Sequence, residues 1–158
     1  MRLLYVLLTY LIAPLVIAHE AWKALFNTEY RGRLWQRLGF VQHAVRPGSV
    51  WIHAVSVGEV QAAAGLVSEL QRRYPTLPIV LTTVTPTGAQ RARSLFKEGV
   101  QICYLPYDLP GSVGRFLDRI SPQVVVILET EIWPTLYHQL GQRRIPLLLG
   151  SARVSTRS

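Results

Sequence analysis

The sequence predicts an α/β chain: a doubly wound, parallel, Rossmann-like sheet preceded by one apolar N-terminal helix. Three observations predict it. From Val50 onward, short apolar runs alternate with segments whose apolar residues recur at helical spacing, the pattern of strands joined by crossover helices. The strand runs are apolar almost throughout, as expected where helices cover both faces of a sheet. Residues 3–18, by contrast, form a charge-free stretch unlike anything after it.

Val50–Val55 reads as the first strand, and Gly58–Tyr74 as a helix with Val60, Ala63, Ala64, Val67 and Leu70 on one face. Pro78 introduces a second strand, Ile79–Val84, and Pro86 stands where a first helical turn accepts proline, opening a helix to Lys97. Gln101–Leu105 is a third strand. Pro110–Ile120 is a helix with Val113, Phe116, Leu117 and Ile120 aligned. Gln123–Leu128 is the most apolar strand and is expected at the centre of the sheet. Trp133–Gln142 is a helix, and Ile145–Leu149 a fifth strand. Right-handed crossovers then make all five parallel.

The chain has 158 residues, 17 basic and 9 acidic, for a formal charge of +8. That length fits one ordinary domain, and 49% hydrophobic residues exclude global disorder. One cysteine, Cys103, excludes a disulfide framework and a Cys-rich zinc site. Fifteen of the basic residues are arginines, whose planar fork suits carboxylates, phosphates and sugar acids; a solvated surface beside an anionic membrane accounts for them equally well. The charge is divided evenly, +4 in residues 1–50 and +4 after them, with no run of like charge. A nucleic-acid-binding arm is therefore not expected.

Residues 3–18 (LLYVLLTYLIAPLVIA) span about 24 Å as a helix, somewhat short of a hydrocarbon core of about 30 Å. Such a helix either spans with snorkelling ends or lies in one leaflet, and Pro14 is expected to kink it. A buried core helix and a cleaved signal peptide are the alternatives, although Ala18-His19-Glu20 is a poor cleavage site. The bias of Lys23, Arg31, Arg33 and Arg37 over Arg2 places the following domain in the cytoplasm. Trp22 and Trp35 suit a headgroup region. Residues 1–48 thus read as a membrane anchor with a basic interfacial segment, Arg46-Pro47-Gly48-Ser49 as a linker, and residues 49–158 as the folded domain.

In open parallel sheets, ligands bind beyond the carboxyl ends of the strands. Those ends carry the polar clusters of this chain. In Ser56-Val57-Gly58-Glu59, Glu59 falls in a first helical turn, where the dipole stabilises a carboxylate; it is a candidate base or a plain N-terminal acid. Glu129-Thr130-Glu131 puts two carboxylates on one face of an extended chain, calling for arginine or ligand hydroxyls, or for helix capping. Thr85, Thr87 and Gly88 open a helix whose free amides suit a phosphate or sugar, or simply cap it. Arg153 and Arg157, with Ser155 and Ser158, form an Arg-Ser end that can grip an anion or be a surface tail. No dinucleotide, P-loop, nucleophile-elbow or zinc-protease motif is present. The four histidines show no metal-ligand spacing.

The blocks WIHAVSVGEV (51–60), TTVTPTGAQ (82–90), YLPYDLP (104–110), ETEIWP (129–134) and SARVSTRS (151–158) resemble the lipid A 3-deoxy-D-manno-octulosonic acid (Kdo) transferases of Gram-negative bacteria, over the whole chain. Ser151 and Thr135 stand where that family commonly has Asn. The resemblance implies the acceptor-binding half of a glycosyltransferase B fold, anchored at the cytoplasmic face of the inner membrane. The donor, CMP-Kdo, is then held mainly by a second half absent from this chain, and the acceptor is a lipid A precursor. Glu59 maps onto the family's base in an inverting, metal-independent transfer that needs no cofactor. Ser56, Gly58, Thr85, Thr87, Gly88, Glu129, Glu131 and Arg153 are expected to contact substrate. The resemblance also implies that the chain is a piece of a longer protein, inactive alone. A non-catalytic module binding acceptor lipid or membrane, and a related glycosyltransferase with another sugar donor, are the alternatives.

Overall fold

The structure, a computed structural model, describes residues 2–26, 28–41, 44–96, 98–128 and 131–150. In chain order its elements are α1 (Arg2–Phe26), α2 (Thr28–Arg37), β1 (Ser49–Ala54), α3 (Val57–Arg73), β2 (Ile79–Thr83), α4 (Pro86–Leu95), β3 (Val100–Tyr104), α5 (Pro110–Ile120), β4 (Pro122–Leu128), α6 (Pro134–Gln142) and β5 (Leu147–Gly150). The five strands form one all-parallel sheet in the order β3-β2-β1-β4-β5. The expected alternation is present, each boundary lying within one or two residues of the sequence reading.

Consecutive apolar residues in a strand point to opposite faces, so each strand feeds two cores. Trp51, Val80, Val125 and Ile127 pack with Phe116, Leu117 and Ile120 of α5 and Leu136 and Leu140 of α6. Val50, Ile52, Ala54, Ile79 and Leu81 pack with Val60, Ala63 and Val67 of α3 and Ala92 of α4. That is the doubly wound arrangement.

The central strand differs from expectation. β1 occupies the middle of the sheet and is buried along its whole length, while β4 lies one place off centre, between β1 and β5. On the second face α3 covers β1 and α4 covers β2 and β3. The β4–β5 half of that face is less covered: Leu128 is buried in this cluster, but Val124 and Val126 are only partly buried against it and Leu148, paired with Val126, is exposed. Overall apolarity did not decide the position; helices on both faces did.

The N-terminal helix is also longer than its aliphatic stretch, running on through His19, Glu20 and Lys23 to Phe26 with Pro14 inside it. Leu4–Phe26 is long and apolar enough to cross a membrane, and none of its most apolar window is buried among the described residues. The short helix α2, not expected from sequence, closes the edge of the sheet at β3. Gln36 Oε1 accepts from the Tyr104 amide (2.9 Å) and the Arg37 carbonyl accepts from the Tyr107 amide (2.7 Å), so an otherwise open strand edge is covered. Gly39 ends this segment at φ +90°; a Cβ there would lie 2.3 Å from the Ser112 carbonyl oxygen of α5. The Arg115 guanidinium donates to the Leu38 carbonyl, satisfying an acceptor that a helix end leaves free.

Candidate functional site

The strand order changes direction between β1 and β4: the chain winds from β1 through β2 to β3 on one side, then returns to β4 and β5 on the other. The crevice beyond their carboxyl ends is the switch point at which open α/β sheets bind ligands. The β1–α3 turn opens onto it with Ser56, Gly58 and Glu59, and the segment after β4 brings Glu131.

Glu59 sits in the first turn of α3 and is 7% exposed. Its Oε2 accepts from the Val55 amide and its Oε1 from Ser56 Oγ at 2.9 Å. Ser56 is the N-cap residue, with extended backbone, and donates to Glu59 instead of capping an amide itself. The S-x-x-E spacing is that of a capping box, so the carboxylate takes up a free backbone donor at the helix entrance. No ion pair to Glu59 occurs among the described residues. A carboxylate offers about four acceptor positions, and these two contacts leave some free. Beside it, a Cβ added at Gly58 would meet only Ser56 Oγ, at 3.9 Å; the first turn of α3 borders open space.

The adjacent turn is held to this one through Val55. Its carbonyl accepts from Thr83 Oγ1 at 2.8 Å and Thr85 Oγ1 at 3.5 Å. Thr85 also caps α4, accepting from the Gly88 amide at 3.0 Å. Thr87 is exposed, and Gly88 is buried so tightly that a Cβ would lie 2.4 Å from Thr83 Oγ1. Thr85 and Gly88 therefore have structural work as cap and close contact, and the exposed Thr87 donates its hydroxyl to Thr85 Oγ1 at 3.4 Å.

Sequence reasoning passed over His53. Fully buried on β1, it links the sheet interior to the rim. Trp51 Nε1–H donates to Thr82 Oγ1 (2.8 Å), Thr82 Oγ1 lies 2.8 Å from His53 Nδ1, and His53 Nε2 lies 3.4 Å from Glu131 Oε2. His53 Nδ1 also lies 3.2 Å from the Thr82 carbonyl oxygen, so the ring is held between Thr82 on one side and Glu131 on the other. Trp133 Nε1–H donates to the same oxygen at 3.0 Å, and Tyr137 O–H donates to the Glu131 carbonyl. The His53 contact, aided by Trp133 and opposed by partial burial, holds the Glu131 carboxyl below its ordinary range. Glu129 and Arg153, the remaining expected site residues, lie outside the described residues, as do Arg157, Ser155 and Ser158.

Asp108, two strands away at the carboxyl end of β3, is a second find. Buried, it accepts from the amides of Thr135 and Leu136 (both 2.9 Å) at the start of α6 and from Tyr5 O–H of α1 (2.8 Å). One carboxylate thus caps the helix that follows the Glu131 segment and ties the N-terminal helix to the same sheet edge. Among the described residues no group of three His, Cys, Asp or Glu side chains has a geometry that could hold a metal.

Residues 32–158 match the family model described as 3-deoxy-D-manno-octulosonic-acid transferase (kdotransferase). The chain belongs to this Kdo transferase family. It is 43% identical over 99% of its length to a 3-deoxy-D-manno-octulosonic acid transferase of Haemophilus influenzae, covering 37% of that protein. It is 35% identical over 98% of its length to a probable mitochondrial 3-deoxy-D-manno-octulosonic acid transferase of Arabidopsis thaliana, covering 35% of it. A Bordetella pertussis transferase of the same name is 41% identical over 69% of this chain. The Kdo transferase chain described here therefore spans about a third of the length of its first two relatives.

Proposed function

We propose that this chain is the acceptor-side part of a glycosyltransferase B enzyme that transfers Kdo from CMP-Kdo to a lipid A precursor at the cytoplasmic face of the inner membrane. In this reading residues 1–48 attach the protein to the membrane and residues 49–158 form the acceptor-binding domain. The observation that carries it is the carboxylate of Glu59, set at the switch point of the sheet beside the open space at Gly58. Membership of the Kdo transferase family supports Kdo as the transferred sugar; CMP-Kdo as its donor and a lipid A precursor as its acceptor belong to the proposal.

The step is an inverting displacement. The Glu59 carboxylate takes the proton of an acceptor hydroxyl as that oxygen bonds to the anomeric carbon of Kdo. The bond from that carbon to the CMP phosphate oxygen breaks, and CMP leaves with the electron pair. A base so placed needs its remaining lone pairs directed at the hydroxyl; the Val55 amide and Ser56 hydroxyl fix the carboxylate plane. Ser56, Thr87, Glu131, Glu129 and Arg153 are proposed contacts to the acceptor's hydroxyls and phosphates, while Thr85, Gly58 and Gly88 shape the two turns. His53 orients Glu131. The test is transfer by the complete protein from CMP-Kdo to a defined lipid acceptor, with UDP-sugars as competing donors. Kdo transfer lost on replacing Glu59 supports the reading; transfer of another sugar instead, or undiminished Kdo transfer by the variant, overturns it. The 158 residues alone are expected to be inactive.

A further inference from the structure

The apolar helix α1 has two different faces. At about 100° per residue, Leu4, Leu8, Leu11, Leu15, Trp22 and Phe26 fall within an arc of about 100°, and all are exposed. Tyr5, Thr9, Ala13, Ile17, Glu20 and Ala24 lie on the opposite side, and all are partly or fully buried. The second stripe is smaller and more polar, and it faces the folded body along the whole helix. Near its start, Tyr5 O–H donates to Asp108. In its middle, Thr9, Ala13 and Ile17 line an apolar groove of about 220 Å³ shared with Tyr107, Asp108 and Leu109. Fifteen residues after Tyr5, Glu20 pairs with Arg33 of α2 at 3.6 Å.

Tyr5 and Glu20 are about 22 Å apart along the axis, yet both hold to the same body. In a spanning helix that distance would cover most of a hydrocarbon core of about 30 Å, so the body's Asp108 and Arg33 could not both meet it without entering lipid. From this geometry we infer that α1 does not cross the bilayer: it lies in the plane of one leaflet, its leucine face sunk into the acyl layer and its Tyr5–Ala24 stripe against the protein. The inference rests on the membrane-attached reading proposed above and deepens it. The occupant of the leucine face is an anionic lipid leaflet. Trp22 and Phe26, edge-to-face at 5.6 Å and 65% and 77% exposed, suit the headgroup–acyl boundary. The net charge of +8, half of it in the first fifty residues, complements anionic headgroups. A leaflet seated on α1 also runs past the carboxyl end of β3, the same edge of the sheet that bears Glu59, which brings a lipid-linked substrate to the rim without leaving the membrane.

The test is label depth in the full-length protein. Leu4→Cys, Leu11→Cys, Leu15→Cys and Leu25→Cys, each at an exposed position, are labelled singly with a nitroxide. Native Cys103 is buried and its thiol is pushed up to about 12 by burial, so it stays unlabelled. The protein is bound to vesicles of phosphatidylethanolamine and phosphatidylglycerol, and depth is read by power saturation with oxygen and a water-soluble nickel chelate. One common shallow depth at all four positions is expected. A depth rising to a maximum at Leu11 and Leu15, with Leu4 emerging on the far side, would overturn the in-plane orientation and leave membrane attachment standing. Failure to bind these vesicles at all would overturn both.

Discussion

Replacing Glu59 by Gln and by Ala separates the base role proposed for it from its capping contacts. Both variants lack the proposed base. Gln keeps an acceptor for the Val55 amide or the Ser56 hydroxyl, whereas Ala leaves both unmet. A lost cap costs about 0.5–2 kcal/mol of stability, so Glu59→Ala should melt earlier and Glu59→Gln should stay close to the parent. Loss of a positioned base lowers turnover by about 10²–10⁴-fold, equivalent to about 3–5 kcal/mol on the barrier. Both variants are therefore expected to lose transfer to that extent, measured as radiolabelled Kdo incorporated per folded molecule by the full-length enzyme. Val67→Ala, in the core of α3 and fully buried, supplies a control destabilised by about 1–3 kcal/mol with turnover kept. If Glu59→Gln retained near-parental turnover while Glu59→Ala lost it, the carboxylate would be a helix cap alone and the mechanism proposed above would fail.

Three further outcomes follow from the geometry. Asp108→Ala strips the acceptor from two buried α6 amides and should lower unfolding stability by about 2–4 kcal/mol; a urea midpoint unchanged from the parent would show that α6 does not depend on this cap. Glu131 is held below the ordinary glutamate value of 4.5 chiefly by His53. The unfolded chain thus binds this proton first, and the stability it contributes is present above that value and lost as pH falls below it. Glu131→Gln should flatten the acid limb of a stability–pH curve in that range, and an unaltered slope would contradict the assignment. Gly88→Ala drives a methyl to 2.4 Å from Thr83 Oγ1 and 2.8 Å from Thr85 Oγ1. It should cost about 1–3 kcal/mol, visible as a lower melting temperature; a neutral result would mean that the two threonines yield freely.

The alternation of strands and helices was legible because its punctuation is local: Pro78, Pro86 and Pro110 stand at or beside element starts, and the strands are unbroken apolar runs. The edge carrying the polar turns follows from parallel topology alone. What escaped was non-local or masked by composition. Asp108 caps amides 27 and 28 positions away, a partnership no spacing rule contains. His53 looks like an isolated histidine until the β1–β2 register sets it beside Thr82. The helix α1 runs past Ala18 because Glu20 and Ala24 continue its body-facing stripe, a periodicity that mean hydropathy conceals. In Ser56-Val57-Gly58-Glu59 the capping-box spacing was available as a signal, although it speaks for local structure and leaves chemistry open.

The far side of the sheet has a practical consequence. β5 bonds to β4 along one flank only among the described residues, and Leu148 and Leu149, on opposite faces, are each 58% exposed. Unpaired amides beside greasy side chains recruit other strands. Overexpressed by itself, this polypeptide should self-associate through that flank even in detergent that satisfies α1, and a charged substitution such as Leu148→Lys is the remedy to try first when preparing it for spectroscopy.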